Sequence, residues 1–224
     1  MRVDNVTDKK ITVILLNWKR PHNASKIVNS YLPFRRIGEI ILWNNNLECK
    51  FKIHHRKIKY FESQNYFTLS RYAAVFFASN DDIMFHDDDL ILKEEQIERL
   101  FEAHLEYPHS IVGCFGRNLK NGVYVKEYSF GKVDVVLGRV MLFQRSLIAN
   151  FLKNCPPFHG ALEDDILFSL SQTEKPVAID VGAVKELPKR YALSKRPYHL
   201  NRRQEMVEYC LVTSGHKEKK YEKR

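Results

Sequence analysis

Short apolar runs, each ended by polar residues, alternate with amphipathic stretches in the first half of the chain, and this alternation is the strongest constraint on its fold. Residues 11–16, 37–43 and 83–85 have the composition of buried strands. One helix is predicted from Pro21, which suits a first helical turn, to about residue 32, and another over 94–107. Strands that alternate with helices in this way predict an α/β fold with a mainly parallel central sheet and helices on both faces.

The same patterns predict the remaining elements. A third strand is expected over 57–61 and a well-buried helix over 68–79. The second half has shorter apolar runs separated by Gly-containing turns. The elements predicted there are strands over 111–115, 123–128, 133–137 and 140–143, short helices from Ser146 and around Asp164, and a last helix over 201–212.

No Gly-, Ser- or Pro-rich linker divides the chain. We therefore predict one continuous domain over 11–212, between an N-terminal lead-in (1–10) and a basic, flexible tail (213–224). With 224 residues, 44% of them hydrophobic, the chain suits a single globular domain with a sizeable core.

Composition also limits the function classes. The sequence has neither a long apolar run nor an apolar signal core, so we expect no transmembrane segment and a cytoplasmic location. The four cysteines lack CxxC spacing, which disfavours a zinc or redox motif. A formal net charge of +9 favours anionic partners such as a nucleotide diphosphate, an acidic glycan or, peripherally, a membrane surface. No nucleic-acid-binding motif is present, and the oligomeric state is left open.

Polar clusters follow three of the predicted strands, over 17–20, 44–46 and 86–89. Ligands of open α/β sheets bind beyond the carboxyl ends of the strands, so we expect these clusters to gather at one edge of the sheet. Asp87, Asp88 and Asp89 come directly after the strand over 83–85. Adjacent carboxylates repel one another, and a divalent cation such as Mg²⁺ or Mn²⁺ relieves this while bridging phosphate oxygens. The alternative is a solvated acidic turn before the next helix.

A second acidic group, Glu163-Asp164-Asp165, precedes the apolar run over 166–168. Acids favour a helix N-terminus because they offset the helix dipole, and that structural interpretation stays open. A carboxylate near a reacting sugar carbon can also act as a base or stabilise an oxocarbenium-like centre. The two acidic groups together, in a basic protein, are more informative than either group alone.

These pieces resemble the GT-A fold glycosyltransferases, most closely the exostosin-like group known as glycosyltransferase family 64. The resemblance extends from about residue 11 to 210. Its motifs are residues 13–20, 41–45, 65–71, 85–89, 138–143, 162–166 and 199–210. The acidic triplet is common to many GT-A enzymes. A much more specific signature of this group is the strand end Trp43-Asn44-Asn45, followed in order by the triplet and the later Asp-Asp pair.

The resemblance implies nucleotide-sugar contacts in the first half of the chain. Arg20 resembles the arginine that touches the nucleotide diphosphate. Asn44 or Asn45 resembles the asparagine near the uracil. Asn65 and Arg71 resemble a polar pair at the start of a helix that holds the nucleotide-sugar, although the family spacing between them is one residue shorter.

The acidic residues acquire roles in the same way. The resemblance implies that Asp87 and Asp88 lie near the ribose and sugar and that Asp89 ligates the metal. Asp165 resembles the aspartate near the anomeric carbon, with Asp164 as the alternative.

Three basic residues of the second half also match. Arg117 resembles an acceptor-side arginine. His199 stands where the C-terminal part of the family fold closes over the diphosphate, and Arg202 or Arg203 adds positive charge there.

The implied activity is a metal-dependent transfer, with Mn²⁺ or Mg²⁺, of a sugar from a UDP-sugar to a glycan or other hydroxyl acceptor. The resemblance favours an N-acetylhexosamine donor and retention of configuration, with residues 11–115 binding the nucleotide-sugar and 116–212 the acceptor. An inverting reaction with Asp164 or Asp165 as base is an alternative. A nucleotidyltransferase is another, although the first strand lacks a Gly-rich phosphate loop. A non-catalytic basic binding module is the third.

Overall fold

The computed structural model describes residues 8–155, 163–192 and 195–213. Residues 1–7 of the lead-in, Leu162 and residues 214–224 of the tail lie outside this description. The helices are α1 (Pro21–Tyr31), α2 (Leu69–Val75), α3 (Glu94–Glu106), α4 (Ile148–Asn154), α5 (Asp164–Leu170) and α6 (His199–Thr213). Across the described ranges, none of them is both long and apolar enough to cross a membrane.

The strands of the first half are β1 (Ile11–Asn17), β2 (Ile37–Asn44), β3 (Ile58–Glu62), β4 (Asp82–His86), β5 (Leu90–Ile91) and β6 (Val112–Gly113). Those of the second half are β7 (Gly116–Arg117), β8 (Leu119–Lys120), β9 (Val123–Tyr124), β10 (Gly131–Lys132), β11 (Val135–Val136), β12 (Val140–Gln144), β13 (Val177–Ala178) and β14 (Lys185–Glu186).

The central sheet has the strand order β10-β13-β6-β12-β4-β1-β2-β3. β1 pairs in parallel with β2 and β4, and β2 pairs in parallel with β3. β12 enters between β4 and β6 in the antiparallel sense, and β13 returns parallel to β6. The predicted α/β fold with a mainly parallel sheet is confirmed, and the antiparallel β12 brings the second half of the chain against the centre of the first.

Helices cover both faces of this sheet. Along β1, Val13 and Leu15 pack with α1 and α3, whereas Ile14 points into the core shared with α2, α4, α5 and α6. This alternation follows from the two-residue period of a strand that is buried on both faces. On the second face the rings of Tyr72 and Phe151 stack with centroids 3.7 Å apart. That aromatic core fixes α2 and α4 relative to the sheet.

The helix predicted over 68–79 is shorter in the structure, where α2 ends at Val75. The amides of Phe77 and Ala78 bond to carbonyls three residues earlier, so the chain leaves the helix through a tighter turn. Phe76 and Phe77 are then 65% and 49% exposed, and the ring of Phe77 packs on Phe61 with centroids 4.8 Å apart. The apolar composition of this segment therefore reflects packing at its end as well as helix burial.

The strands predicted over 111–115, 123–128 and 133–137 also shrink to two-residue elements. β6 stays in the central sheet between β12 and β13, whereas β9 and β11 pair in small two-stranded sheets, β9 with β8 and β11 with β7. The last helix begins at His199, slightly earlier than predicted.

Gly116 provides a test of this packing. A Cβ at this position would lie 2.3 Å from the backbone oxygen of Ser129 and 2.6 Å from the Cβ of Ala178. We expect Gly116→Ala to lower the free energy of unfolding by about 1–3 kcal/mol, because backbone cannot move aside as a flexible side chain would. Urea unfolding measures this. Ser129→Ala, which keeps the same carbonyl in place, is the control, and equal stability of the two variants would contradict the packing described.

Candidate active site

A cleft of about 620 Å³ opens at the edge of the sheet where β1 and β4 end, and both acidic groups line it. The two groups come from different halves of the chain: the triplet follows β4, and Asp164 and Asp165 form the first turn of α5. The predicted residues that line the cleft are Arg20, Asn45, Asn65, Arg71, Asp87, Asp88, Asp89, Arg117, Asp164, Asp165 and His199. The sequence-predicted polar clusters thus meet at one site.

Arg71 connects the two acidic groups. Its Nε donates to Asp164 Oδ2 at 2.8 Å, its Nη2 bonds to the same oxygen, and its Nη1 lies 3.7 Å from Asp87 Oδ1. Nη1 also donates to the carbonyl of Gly138 at 3.0 Å. A Cβ at Gly138 would lie 2.6 Å from Nη2, so a larger residue there would have to displace the guanidinium. One buried side chain on α2 therefore ties together the loop after β4, the loop before β12 and α5.

The adjacent acids of α5 have different surroundings. The Tyr72 hydroxyl donates to Asp164 Oδ2 at 2.8 Å, and burial raises the pKa of Asp164 although Arg71 opposes this. Burial would also raise the pKa of Asp165. Its two bonds from Arg203, each 3.1 Å long, and one from the Gly138 amide instead hold that pKa below its ordinary value. Asp165 is thus an ionised, firmly oriented carboxylate at neutral pH.

The acidic triplet is paired with arginines in the same manner. Arg20 Nε donates to Asp88 Oδ2 at 3.1 Å, and Arg139 Nη2 donates to Asp89 Oδ1 at 3.0 Å. The side chains of Asp88 and Asp89 are only 10% and 11% exposed. Burial raises the pKa of Asp88 to about 6, the neighbouring Asp89 charge adds to this, and Arg20 opposes it. The triplet therefore has more negative charge crowded into a desolvated site than its arginines fully offset.

This donor set fits a hard divalent cation. Within the described ranges, no group of three or more His, Cys, Asp or Glu side chains is arranged to hold a metal by itself. Mg²⁺ and Mn²⁺ sites often use one or two carboxylates and complete their shell with phosphate oxygens and water. Asp87 and Asp89 both line the cleft, and the side chain of Asp87 is 42% exposed, so they present oxygen ligands of that kind. A cation there would also relieve the crowding that raises the pKa of Asp88.

Two predicted residues do not line the cleft. Asn44 is fully buried, and its amide is bonded to Asn17, Asn46, Cys49 and Tyr60, so it holds the loop after β2 together. Arg202 is exposed on α6. Successive helix residues point about 100° apart, and it is the next residue, Arg203, that faces the cleft. Of the two asparagines expected near the base, Asn45 is the one placed at the cleft.

Asn45 and His199 have partners of their own. The Asn45 amide donates to the Phe67 carbonyl at 2.8 Å, and its Oδ1 accepts from the Ser70 hydroxyl at 2.7 Å. The Nδ1 of His199 lies 3.7 Å from Glu163 Oε1. Both residues therefore shape the cleft wall as well as facing it.

The cleft wall contributed by the second half of the chain combines positive charge with aromatic rings. The Arg117 guanidinium lies 3.6 Å from the centroid of the Tyr128 ring, and its buried Nη1 has no hydrogen-bond partner among the described residues. Lys126 and Tyr124 line the same wall. This surface can receive an oxygen-rich group through cationic donors and ring faces.

Sequence reasoning did not identify Arg139 and Tyr72, and it weighted Arg203 only as an alternative. Arg139 comes immediately before β12, and its carbonyl accepts the amide of Asp87 at 2.9 Å. It becomes a neighbour of the triplet only when β12 pairs antiparallel with β4, and no local pattern announces that pairing. In the sequence Tyr72 resembles any core residue of the helix. Its ring does lie in the core, and only its hydroxyl reaches Asp164.

Comparisons with known proteins agree with this architecture. The family model described as glycosyl transferase family 64 domain matches residues 11–216. Among solved structures, the mannosyltransferase PcManGT from Pyrobaculum calidifontis, in complex with GDP-Man and Mn²⁺, is similar with a TM-score of 0.61. The alignment covers 96% of this chain and 67% of that chain at 13% identity, which supports likeness of fold. A search of the curated proteins finds no match. The expected GT-A-like fold and family resemblance are confirmed.

Glu163 makes the stability of the site depend on pH. Burial raises the pKa of Glu163 from 4.5 to about 7, and the Asp165 charge adds to this. Between these values the folded state binds more protons than the unfolded state, so the free energy of unfolding falls as pH rises through this window. We expect Glu163→Gln to remove this loss and to be more stable than the wild type by about 1–3 kcal/mol at pH 8, with little difference at pH 4.5.

Urea unfolding of wild type and variant at both pH values measures the effect. Glu205→Gln, at an exposed position of α6, is the control and should leave the pH dependence unchanged. A Glu163→Gln variant whose stability follows the wild type at every pH would contradict the assignment.

Proposed function

This chain belongs to the glycosyl transferase family 64 domain family, and from that premise we propose that it transfers a sugar from a UDP-sugar to a hydroxyl group of an acceptor bound in the cleft. The observation that carries the proposal is the meeting of two acidic groups in one cleft, held by Arg71. One group suits a metal-bound diphosphate, and the other suits the sugar carbon that reacts. A glycan is the acceptor class we favour, and residues 11–115 and 116–212 form the donor and acceptor halves.

The donor site is proposed at the acidic triplet. A diphosphate is repelled by three adjacent carboxylates unless cations lie between them, which supports a requirement for divalent metal. Asp89, with Asp87, would hold Mn²⁺ or Mg²⁺, and the bound ion would act as a Lewis acid that stabilises charge on the departing diphosphate. Arg20 and Arg139 flank the triplet and have N–H groups that can donate to phosphate oxygens in addition to their carboxylates. Asn45 also lines the cleft, and we propose that it faces the nucleobase.

Asp165 is proposed to face the anomeric carbon. Its pKa is held below the ordinary value, so it stays ionised and can stabilise positive charge that develops on the sugar. The same bonds make it a weak base, because Arg203 and the Gly138 amide occupy its oxygens. Asp164 is similarly engaged by Arg71 and Tyr72. An inverting reaction needs a carboxylate that is free to take the acceptor proton, so this arrangement supports retention of configuration.

The acceptor is proposed to enter along the wall formed by Arg117, Tyr124, Lys126 and Tyr128. Ring faces and cationic donors there can orient a polyhydroxylated chain with one hydroxyl toward Asp165. His199, on α6, is proposed to contact the diphosphate as a neutral ring, because burial and the Arg203 charge lower its pKa, and Arg203 is proposed to add positive charge there.

A GDP-sugar is the second candidate donor, because the similar mannosyltransferase was solved with GDP-Man and Mn²⁺. The family resemblance favours UDP, and the low identity to that enzyme gives no residue-level support for guanine. A nucleotidyltransferase remains a distinct alternative, since it would use similar acids on a nucleoside triphosphate.

The experiment that tests the proposal incubates the protein with Mn²⁺ and a panel of UDP- and GDP-sugars and measures the nucleoside diphosphate released. We expect UDP release from a UDP-sugar that depends on metal. In Asp89→Asn the rate should fall by about 100-fold, because the ligand that holds the cation at the diphosphate is lost. Asp81→Asn, which changes an exposed acid just before β4, is the control and should keep the wild-type rate.

The outcomes separate the alternatives. GDP release alone would replace the proposed nucleotide, and pyrophosphate release from UTP would favour a nucleotidyltransferase. UDP release that is equal in Asp89→Asn and wild type would remove Asp89 from the metal site.

A further inference from the structure

The backbone of the acidic triplet is held from behind at each of its three residues. The carbonyl of Asp87 accepts a bond from His86 Nδ1 at 2.8 Å, that of Asp88 from Asn23 Nδ2 at 2.9 Å, and that of Asp89 from the Leu187 amide at 2.7 Å. Fixing successive carbonyls fixes the peptide planes, and the planes determine where each Cα–Cβ bond points. Groups on the side away from the cleft thus bind the backbone of the triplet, and this leaves its side chains facing the cleft.

Asn23 is the residue that joins this loop to a distant segment. It lies in the first turn of α1, is 5% exposed, and donates from the same amide nitrogen to Asp88 and, at 3.0 Å, to the carbonyl of Pro188. An amide group has two N–H bonds, and both are used here on backbone oxygens. A side chain without these donors leaves two carbonyls unpaired and frees the loop to rotate.

His86 acts from the end of β4 through a directed chain of hydrogen bonds. A backbone carbonyl only accepts, so the bond to Asp87 requires the proton on Nδ1 of His86. Nε2 then accepts from the Tyr31 hydroxyl at 2.6 Å, and the Tyr31 oxygen accepts from the Leu92 amide at 3.0 Å. Tyr31 is fully buried and His86 is 3% exposed, which suits a neutral ring. This series of hydrogen bonds starts at the Leu92 amide and ends at the Asp87 carbonyl, so it connects the segments on either side of the triplet side chains.

We propose that Asn23 and His86 are positioning residues of the donor site, which aim the triplet carboxylates at the metal and diphosphate without touching either. The inference rests on the proposed function of the triplet. Neither residue belongs to the cleft lining, and their bonds would be ordinary core contacts if the triplet were an acidic turn. If the triplet binds a cation, loss of either residue should weaken cation-dependent nucleotide binding, because ligand orientation sets metal affinity. Loss of a similar buried hydrogen bond elsewhere should lower only the stability.

Asn23→Ala tests this against a closely matched control. Gln96 lies in the first turn of α3, is 7% exposed, and donates from one amide nitrogen to the carbonyls of Val181 and Ala183, each at 3.0 Å. Both variants lose an amide group that donates to two backbone carbonyls, one behind the triplet and one away from the cleft. Gln96→Ala also loses the bond that its Oε1 accepts from the Lys93 amide, so it should lower the Tm at least as much as Asn23→Ala, by about 2–8 °C.

The decisive measurement is calorimetric titration of UDP in saturating Mn²⁺. We expect Asn23→Ala to raise the Kd by about 10-fold or more and Gln96→Ala to leave it within about 2-fold of wild type. The KM for the UDP-sugar should rise with the Kd in Asn23→Ala, whereas the KM for the acceptor should not. Tyr31→Phe keeps the buried ring and removes only the hydroxyl between Leu92 and His86, so it should raise the Kd in the same direction even if Asn23→Ala folds poorly.

Each result has one meaning. If wild type binds UDP with Mn²⁺ while the Asn23→Ala and Tyr31→Phe variants bind equally well, or if the Gln96→Ala control loses as much affinity as they do, the positioning role is overturned and the proposed function stands. If wild type shows no metal-dependent binding of UDP or GDP, the proposed function fails and takes the positioning role with it.

Discussion

The buried guanidinium of Arg71 is the constraint on which the rest of the site depends. With its side chain 6% exposed, it satisfies Asp164, approaches Asp87 and bonds to the Gly138 carbonyl. Taking such charges out of water is costly, and removing one partner of a buried pair typically costs about 3–5 kcal/mol because the other is left uncompensated. The loop after β4 and the start of α5 are therefore coupled to α2, and the two acidic groups keep a fixed separation across the cleft. A rigid spacing of this kind is what a reaction between a bound diphosphate and a sugar carbon needs.

Arginine pairing also explains how a basic protein assembles an acidic cleft. The net charge is +9, yet the cleft carries acids from both halves of the chain. Their partners are distinct, with the pairs Arg20–Asp88, Arg139–Asp89, Arg71–Asp164 and Arg203–Asp165. The pairing is uneven in effect, because it holds the pKa of Asp165 below its ordinary value while that of Asp88 stays raised at about 6. Environments that separate the pKa values of carboxylates in this way suit them to different roles, which we propose to be an ionised group beside the sugar and a cation site beside the diphosphate.

Much of this was accessible from sequence because the responsible signals are local. Continuous apolar runs predicted β1, β2 and β4, and rules about strand ends predicted that polar residues after them would converge. The features of the site that the sequence did not predict depend on tertiary pairing. Asn44 has the same sequence character as Asn45, but the direction of its side chain buries it in a turn network. Arg139 reaches Asp89 only through the antiparallel insertion of β12, and Asn23 looks like any polar residue of a helix until the loop behind it is placed. The helix predicted beyond Val75 was wrong because the ring of Phe77 packs against Phe61 and Phe76 is exposed, so the two aromatic residues do not mark a buried helix face.

The central claim is that the two acidic groups face one cation-bound nucleotide across a shared cleft. Crystals grown with UDP and Mn²⁺, with diffraction data collected at the manganese absorption edge, test this most directly. We expect an anomalous peak about 2 Å from a carboxylate oxygen of Asp89, with the diphosphate between the triplet and Asp165. A manganese ion or a UDP molecule bound elsewhere on the protein, or UDP in the cleft with no metal at Asp89, would contradict it.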